Sequence, residues 1–518
     1  MQISIRAWVL GLVVLLPANA QVRQPAVPLV APRVWDDYSI ATLEVPLANP
    51  AGSPKHISSG FYYRIPVRPV YKTYPVYAPG REPEGYMDWL KQREPEIFWD
   101  DAGRKPSLRT ESDWIAAGEA IFDAPIYYTN HRVVALPDVR NPQWYQATGA
   151  PVARDGTLPY VRYVVRQKGT VDLGNFACGF CHSRVMPDGG VIKGAQGNFP
   201  FEKSKAWSFR PSPATPGQLS AKESALRRLD GGLFAVPWIS PDPLDAIKAL
   251  SFTQLVSAHA AIPAEVIGRH RLALFLPVPI PDLIGVKDRH YLDRTGLQKQ
   301  GSIADLMRYA ALNQGADDLA SYNGFVPAEF LSSTAPLDPA DSVAVGGRYS
   351  DEQLYALALY LYSLQPPPNP NKMDSVAARG KRIFQSQGCA VCHTPPLYTN
   401  NKLTPAEGFH VPGDARAVLD VLPVPVGTDP NLTMSTRRGT GYYKVPSIRG
   451  VWYRSMFGHN GWCATLEGWF DPNRVRGDYV PTGFRPYGAE TFAVKGHVFG
   501  LDLSAGDRKV LIAFLKTL

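Results

Sequence analysis

The most apolar stretch of this sequence lies at its N-terminus. Residues 7–16 are almost wholly apolar, a short segment with one positive charge precedes them, and Ala18-Asn19-Ala20 follows as a small-residue cleavage pattern. This order is typical of a signal peptide, and the apolar run is too short to span a bilayer; a buried N-terminal helix is the alternative. We predict a signal peptide at residues 1–20 and a mature protein, periplasmic or secreted, that begins near Gln21 and has no membrane span.

Apolar residues at helical spacing recur in two pairs of similar segments. Residues 117–122 (AGEAIF) resemble residues 379–384 (RGKRIF), and each predicts a short helix. Residues 357–364 (LALYLYSL) resemble residues 511–518 (LIAFLKTL), and these predict two closing helices. The predicted N-caps of the closing helices are Ser350 and Ser504.

A third similarity lies between these helices and has a constant offset. Residues 281–289 (PDLIGVKDR) match residues 446–454 (PSIRGVWYR) at an offset of 165 residues, which holds as far as Gly296 and Gly461. Three matches in the same order indicate a duplicated chain.

The repeats divide the chain into domains. The first domain, with an inserted loop or subdomain of about 50 residues before Cys178, ends at a stiff Pro-rich linker. Residues 21–111 are rich in Pro and Tyr, show no clean period, and are expected to wrap the surface of the first domain. The predicted boundaries are 21–111 for the N-terminal extension, 112–365 for the first domain, 366–372 for the linker and 373–518 for the second domain.

Composition agrees with a folded chain. Of the 518 residues, 45% are hydrophobic and 19% are charged, which excludes a disordered protein, and 49 prolines predict long irregular connections. The net charge is +8, and no run of five Lys or Arg residues occurs. We expect no nucleic-acid partner, and at most weak steering toward an acidic partner.

Four of the five cysteines belong to two C-x-x-C-H motifs. Residues 178–182 read CGFCH, and residues 389–393 read CAVCH. In this motif the two thiols add to the vinyl groups of a haem, and the next residue places an imidazole on the iron. The sequence therefore predicts two covalently bound c-type haems (haem c), attached through Cys178 and Cys181 and through Cys389 and Cys392, with His182 and His393 as the proximal iron ligands.

The same cysteines permit two other interpretations. Two C-x-x-C pairs could form a four-cysteine zinc site, or either pair could be a redox dithiol. Neither interpretation requires a histidine after both pairs, and haem attachment outside the cytoplasm suits an exported protein. Cys463 is left over and is interpreted as a buried unpaired thiol.

The motifs around the predicted haem sites resemble a known family. The two haem motifs, a Pro-x-[Leu/Ile]-x-Gly loop in each copy and residues 457–467 (FGHNGWCATLE) are similar to the bacterial di-haem cytochrome c peroxidase superfamily, which includes MauG and the haem-dependent rubber oxygenases. Residues 281–289, 305–309 (DLMRY) and 496–500 (GHVFG) look closest to the rubber-oxygenase branch. The resemblance covers about 400 residues from Ser112 onward. It implies a mainly α fold of two cytochrome c-like domains with long Pro-rich loops and an N-terminal extension.

The resemblance also implies roles for the two haems. The N-terminal haem, on His182, would be the reactive one, with a distal side open to peroxide or dioxygen and with Phe275 as an apolar distal residue. The C-terminal haem, on His393, would store or relay electrons, and the resemblance favours His497 as its sixth ligand. The alternative sixth ligands are Met456, Met434 and His459.

The sequence departs from the peroxidases at their acid–base residue. The peroxidases carry a distal glutamate seven residues after the aspartate of a Trp-Asp-Gly-Arg-Ala stretch. Here residues 292–296 (LDRTG) occupy that stretch, Gln300 stands seven residues after Asp293, and the nearest carboxylate is Asp305. Cleavage of the O–O bond needs a positioned acid–base group. We therefore expect slow peroxide turnover and keep Asp305 as the catalytic candidate.

Two functional classes follow. The first is an oxidoreductase that activates peroxide or dioxygen and acts on an organic substrate or a redox partner protein. The second is a non-catalytic di-haem electron-transfer cytochrome. The insert before Cys178 and the long first domain favour the enzyme, because an electron carrier needs little beyond its haem wrapping.

Overall fold

The computed structural model describes residues 30–128, 133–211, 215–268, 274–315, 319–322, 347–423 and 425–518, so the predicted signal peptide lies outside the described residues. Within them the chain is rich in helices and its strands are short. The α-helices are α1 (Asp37–Leu43), α2 (Ser59–Arg64), α3 (Tyr86–Lys91), α4 (Glu111–Asp123), α5 (Leu136–Val139), α6 (Pro142–Thr148), α7 (Cys178–Cys181), α8 (Phe201–Phe209), α9 (Pro216–Phe234), α10 (Pro243–Lys248), α11 (Phe252–Ala260), α12 (Ile303–Gly315), α13 (Asp351–Ser363), α14 (Ser375–Ser386), α15 (Cys389–Cys392), α16 (Ala415–Val418), α17 (Asn431–Met434), α18 (Leu466–Trp469) and α19 (Ala505–Lys516).

The strands pair into small antiparallel sheets. They are β1 (Pro54–His56), β2 (Val70–Tyr71), β3 (Thr73–Tyr77), β4 (Ile97–Trp99), β5 (Thr157–Val164), β6 (Asp172–Gly174), β7 (Ser183–Val185), β8 (Val191–Lys193), β9 (Val266–Ile267), β10 (Val278–Pro279), β11 (Tyr291–Leu292), β12 (Gln298–Lys299), β13 (Ala320–Tyr322), β14 (Leu403–Pro405) and β15 (Tyr442–Lys444). The three-stranded sheet has the order β3-β5-β6, in which Tyr74 lies opposite Tyr163 and Tyr163 opposite Leu173. Strands β5 and β6 come from the segment predicted as an insert, and β6 leads directly to the first haem motif.

No helix of the described residues combines the length and the apolar character that a membrane span requires.

Each half of the duplicated pattern forms a pair of crossing helices. Helix α4 packs against α13, and α14 packs against α19. Both pairs cross at a glycine of the repeated segment. A Cβ atom at Gly118 would lie 1.9 Å from the carbonyl oxygen of Ala356, and one at Gly380 would lie 2.2 Å from that of Val510. Only glycine permits this approach, so the sequence similarity of the two segments reflects the same helix crossing.

The closing helices begin where the sequence predicts. Ser350 accepts a hydrogen bond from the backbone N–H of Gln353, and Ser504 accepts one from the backbone N–H of Asp507. An N-cap side chain of this kind satisfies a backbone donor that the helix itself leaves unpaired. Both N-cap predictions are confirmed.

The loops that repeat at the offset of 165 residues also turn in the same way. Gly285 and its equivalent Gly450 have φ angles of +71° and +74°, and Gly296 and its equivalent Gly461 have φ angles of +66° and +77°. Residues with a Cβ atom rarely adopt these left-handed conformations. The repeated glycines are therefore explained by backbone geometry, and the loops bring Pro281 and Pro446 to equivalent positions.

The N-terminal extension supplies part of the main core. Trp35 and Tyr62 are buried and stack with their ring centroids 4.4 Å apart. They belong to the same apolar cluster as Trp114 of α4 and Leu354 of α13. The expectation that this segment covers the surface is therefore incomplete. Large aromatic side chains bury extensive apolar area even where the sequence lacks a regular period.

A fully buried charge cluster joins α8, α9 and α11. In His259, Nδ1 lies 2.7 Å from Oε2 of Glu202 and Nε2 lies 3.0 Å from Oδ2 of Asp230. Nζ of Lys205 lies 3.1 Å from Oδ1 of Asp230. Burial and the Lys205 charge would lower the pKa of His259, but the two carboxylates outweigh them and raise it. A protonated His259 thus balances the charge of the cluster.

Replacement of His259 by glutamine should lower the free energy of unfolding by about 3–5 kcal/mol, because two buried carboxylates lose a charged partner. The stability that protonated His259 contributes is fully present below its unfolded pKa of 6.5 and is lost as the pH rises through the higher folded value. The free energy of unfolding measured with urea should therefore decline between about pH 6 and about pH 9 in the unchanged protein. The variant His259→Gln should lack this decline. The exposed His290→Gln serves as the control and should keep the decline. Equal declines in all three proteins would contradict this prediction.

Candidate haem-binding sites

The first haem motif forms a single helical turn. Helix α7 contains both cysteines, and the backbone N–H of His182, directly after it, donates to the carbonyl of Cys178 at 2.9 Å. Neither Cys178 nor Cys181 forms a disulfide, and both are partly exposed. Residues three apart on a helix lie on the same face. Phe180 packs nearby, with its ring centroid 4.5 Å from that of Phe199, so one wall of this site is aromatic.

The second haem motif has the same local structure. Helix α15 contains Cys389 and Cys392, and the backbone N–H of His393 donates to the carbonyl of Cys389 at 2.8 Å. Gly388, with a φ of +73°, turns the chain from α14 into this motif. The sequence therefore builds the same arrangement of two thiols outside any disulfide and a following imidazole twice.

The structure disfavours the two other interpretations of the cysteines, a zinc site and a redox dithiol. Among the described residues, which include both cysteine pairs, no group of three or more His, Cys, Asp or Glu side chains could hold a metal ion, so the four-cysteine zinc site is wrong. A redox dithiol requires a lowered thiol pKa. Burial instead raises the pKa of Cys389 to about 11 and also raises the pKa of Cys392.

Backbone carbonyls orient both motif histidines. Nδ1 of His182 lies 3.0 Å from the carbonyl oxygen of Pro281, and Nδ1 of His393 lies 3.2 Å from that of Tyr398. The carbonyl of Pro446, the equivalent of Pro281, also forms a hydrogen bond to His393. A carbonyl can only accept, so each Nδ1 donates, and Nε2 is the nitrogen left for a metal. Burial lowers the pKa of His393 more than these carbonyls raise it, which favours the neutral, ligating imidazole.

His497 faces His393 at the second site. Their ring centroids lie 6.3 Å apart and their planes are inclined by 56°. A metal about 2 Å from one nitrogen of each ring, with the ring centres about 1.2 Å further away, requires a separation of roughly 6.4 Å. Burial and the neighbouring His393 lower the pKa of His497 to about 3, so this imidazole is also neutral. The separation of the two rings is that expected for two imidazoles on one metal.

A cavity of about 610 Å³ lies at this pair of histidines. Its volume is within the range of about 300–1,000 Å³ that small-molecule and cofactor sites occupy. Both cysteines of the second motif and both facing histidines line it, and so do apolar side chains, among them Phe384, Leu466, Phe470, Leu511 and Leu515. A flat apolar group attached to the cysteines and bound by two imidazoles matches this lining.

A cluster of cations forms the polar wall of the cavity. Arg294, Lys444 and Arg454 line it, and Arg289 interacts with all three. Burial and the neighbouring cations lower the pKa of Arg294 to about 10 and hold that of Lys444 well below its usual value. The nearby carboxylate of Asp282 accepts a hydrogen bond from the Tyr453 hydroxyl at 2.6 Å.

Such an excess of enclosed positive charge favours an anion on the cavity side. The two propionates of a haem would supply it, so the cluster fits the cofactor that the cysteines predict. Sequence patterns alone do not predict this cluster. Its one signal is that Arg289 and Arg454 occupy the same position in the two copies, at the offset of 165 residues.

The two residues proposed for the reactive side lie in different surroundings. Phe275 is half-buried and lines the same cavity as His393 and His497. Asp305 is not among the residues that line this cavity. Its Oδ2 accepts from the backbone N–H groups of Gly301 and Ser302 at 2.9 Å each, at the start of α12, and its Oδ1 lies 2.9 Å from Arg308.

The alternative sixth ligands of the second haem are placed less favourably than His497. Nε2 of His459 lies 2.7 Å from a carboxylate oxygen of Asp429 and is therefore already engaged. Met434 is partly exposed at the end of α17 and does not line the cavity. Met456 does line the cavity, but His497 is the side chain whose ring faces His393.

Comparisons with known proteins add little to this geometry. No protein-family model matches the chain, and no curated protein matches its sequence. Among solved structures the chain is similar to the hydrazine synthase of Kuenenia stuttgartiensis, at 12% identity and a TM-score of 0.29, over 60% of this chain and 91% of that one. It is also similar to a MauG-like protein associated with microbial copper homeostasis, at 13% identity and a TM-score of 0.30, over 60% of this chain and 90% of that one. Similarities this weak carry no argument about activity.

Proposed function

We propose that this chain is an exported di-haem c-type cytochrome oxidoreductase. It would activate peroxide or dioxygen at the haem on His182 and store or relay electrons at the haem on His393. The observation that carries the proposal is the pair of imidazoles, His393 and His497, that face each other across a cavity walled by Cys389 and Cys392. This arrangement supports the haem motif that the sequence contains and the ligand His497 that the family resemblance favours.

The chain's own residues would hold each haem in a defined way. Cys178 and Cys181 would attach the first haem, and the Pro281 carbonyl keeps the His182 ring in the tautomer that presents Nε2. The cation wall beside the second site would bind carboxylates and place the apolar body of the group between the two imidazoles. When bound, the haems would supply one-electron transfer and, at an open coordination position, the binding of peroxide or dioxygen.

The two haem sites would have different roles. Two imidazoles that face one another leave no free side for a substrate, so the second site suits electron storage or relay. Two histidine ligands also give a haem a lower reduction potential than a histidine and a methionine do. A haem of low potential accepts electrons poorly from high-potential donors. We therefore assign the reactive side to the first site, where the family resemblance also places it.

Phe275 and Asp305 are the candidates for the reactive side that the sequence suggests. Phe275 lines the cavity at His393 and His497, so its apolar ring would exclude water and favour retention of oxygen at the reactive haem only if that haem borders the same cavity. The contacts of Asp305 at the start of α12 occupy both of its carboxylate oxygens. An acid–base role for Asp305 would therefore require that its loop shift. Without such a group we expect slow peroxide turnover and a detectable reaction with dioxygen or an organic substrate.

An optical titration of the purified holoprotein with peroxide, dioxygen and cyanide tests the proposal. We expect one haem to respond and the other to stay unchanged. Asp305→Asn should leave the slow peroxide rate within about twofold of the unchanged protein, because Asp305 is engaged at the start of α12 and asparagine can keep this cap. Asparagine cannot act as an acid–base group, so the variant would reveal such a role if Asp305 had one. Asp507→Asn, at the start of α19, is the matched control for a helix cap.

Three outcomes would change this account. Rapid peroxide turnover that disappears in Asp305→Asn would make Asp305 the acid–base residue. Rapid turnover that persists in this variant would contradict the proposed reactive side. A protein in which neither haem responds to any of the three ligands, in either redox state, would be an electron carrier.

A further inference from the structure

The loop that carries His497 has no regular structure of its own. Residues 476–504 contain neither helix nor strand. His497 itself has a φ of +53°, a left-handed conformation that a residue with a side chain keeps only where its surroundings fix it. Its backbone N–H donates to the carbonyl of Val426 at 2.7 Å, but the carbonyls of this loop still need donors from elsewhere.

One arginine supplies these donors. Nη1 of Arg474 donates to the carbonyls of Val494 at 2.6 Å and Gly496 at 2.9 Å, and Nη2 donates to the carbonyl of His497 at 2.6 Å. Its Nε donates to the carbonyl of Trp469 at 3.1 Å. In return the backbone N–H of Val494 donates to the Arg474 carbonyl at 2.6 Å. A single guanidinium therefore ties the His497 loop to the end of α18.

Burial of this arginine is costly, because its charge is removed from water. Arg474 is 0% exposed, and no carboxylate of the described residues lies within ion-pair distance of it. Burial lowers its pKa. The guanidinium carbon lies 5.5 Å from the ring centroid of Trp462 and 5.7 Å from that of Trp469, which partly compensates the charge.

The same arginine also controls the ring that touches the His497 imidazole. The rings of Trp469 and His497 meet edge to face with their centroids 5.3 Å apart, and Phe499 packs on His497 at 5.2 Å. Arg474 contacts Trp469 both at its backbone carbonyl and over its ring. It therefore constrains the backbone and one ring neighbour of His497 together.

We propose that Arg474 is the positioning residue that aims His497 at the metal of the second haem, an inference that rests on the function proposed above. Its planar fork reaches several carbonyls in different directions, which a lysine ammonium on a flexible stem cannot reproduce. Without the fork, the loop would relax and His497 would give way to solvent or to an added ligand.

Arg474→Lys in the full-length holoprotein tests this inference. We expect part of the low-spin signal of the second haem in magnetic resonance to be lost. The apparent affinity for added imidazole should rise by about 10–100-fold, the size of effect typical for residues that orient a metal ligand. An unchanged signal together with an unchanged imidazole affinity would overturn the proposal.

Two control variants separate positioning from general damage. Arg437 is also buried and donates to the carbonyls of Ala235 and Gly232, far along the chain from the His497 loop. Arg437→Lys should reduce stability without altering the second haem, and the same spectral change in this variant would count against positioning. The exposed Arg476→Lys should have no effect on either measurement.

The inference and the proposed function fail in different ways. If His497→Ala leaves the spectrum unchanged, the ligand assignment is wrong and the role of Arg474 falls with it. If His497→Ala changes the spectrum and Arg474→Lys does not, only the positioning role is wrong.

A second variant applies if Arg474→Lys does not accumulate as holoprotein. Trp469→Leu removes the ring that Arg474 holds against His497. This variant should raise the imidazole affinity by a smaller factor, and no rise would overturn the inference.

Discussion

Replacement of both Cys178 and Cys181 by serine should leave one covalent haem per chain, where we expect the unchanged protein to carry two. Each haem would be attached through the two thiols of one helical turn, and His182 alone could not retain a haem once the protein is denatured. Expression with the c-type maturation system, followed by denaturation and extraction, gives the ratio of haem to protein. Intact mass would report the same loss independently. We expect no other variant to have a larger effect on composition.

Matched variants make the haem count decisive. Replacement of both Cys389 and Cys392 by serine should remove the other haem. Cys463→Ser should keep both, because Cys463 is a buried thiol outside the two motifs. Retention of two covalent haems after loss of the first cysteine pair would end the di-haem interpretation.

Replacement of His497 by alanine should convert the second haem from low-spin to high-spin or to a new ligand set. The His497 and His393 rings face each other at 6.3 Å, so the loss of one ring opens one side of the site. Magnetic resonance and optical spectra of the isolated protein measure the change. Added imidazole should restore the low-spin signal, because it fills the space that the side chain leaves.

The alternative ligands provide the controls for this experiment. Met456→Leu should leave the spectrum of the second haem unchanged, and so should His459→Ala, since His459 is paired with Asp429. A spectrum that survives His497→Ala would transfer the ligand role to Met456, Met434 or His459. A change in His497→Ala that imidazole does not reverse would point to a collapsed site instead of a lost ligand.

Short-range features were predictable because the sequence contains their complete cause. Each C-x-x-C-H motif occupies one helical turn, so the spacing of its letters is also the spacing of its thiols in space. The N-caps Ser350 and Ser504 depend on hydrogen bonds within a few residues. Gly118 and Gly380 were recognisable as equivalent from the similar segments around them, although the helices that they cross, α13 and α19, lie far along the chain.

Other features involve partners that are distant in the chain. The aromatic side chains of the N-terminal extension show no period, and Trp35 becomes a core residue only because α4 and α13 pack around it. Asp305 looks like a catalytic carboxylate by position, but the structure shows it as a helix cap paired with Arg308. Local spacing cannot distinguish these roles, because both depend on which segment lies opposite.

The cysteine motifs, the duplication and the residue types that could bind a haem are readable from the sequence alone. The approach of His497 to His393, the hydrogen bonds from Arg474 to the His497 loop, and the cluster of Arg289, Arg294, Lys444 and Arg454 arise only in the folded chain. The physical reason is that attachment is covalent and local, whereas ligand position and enclosed charge arise from the packing of segments that are far apart in the chain. A histidine or an arginine in the sequence has many possible partners, and burial beside particular neighbours selects one.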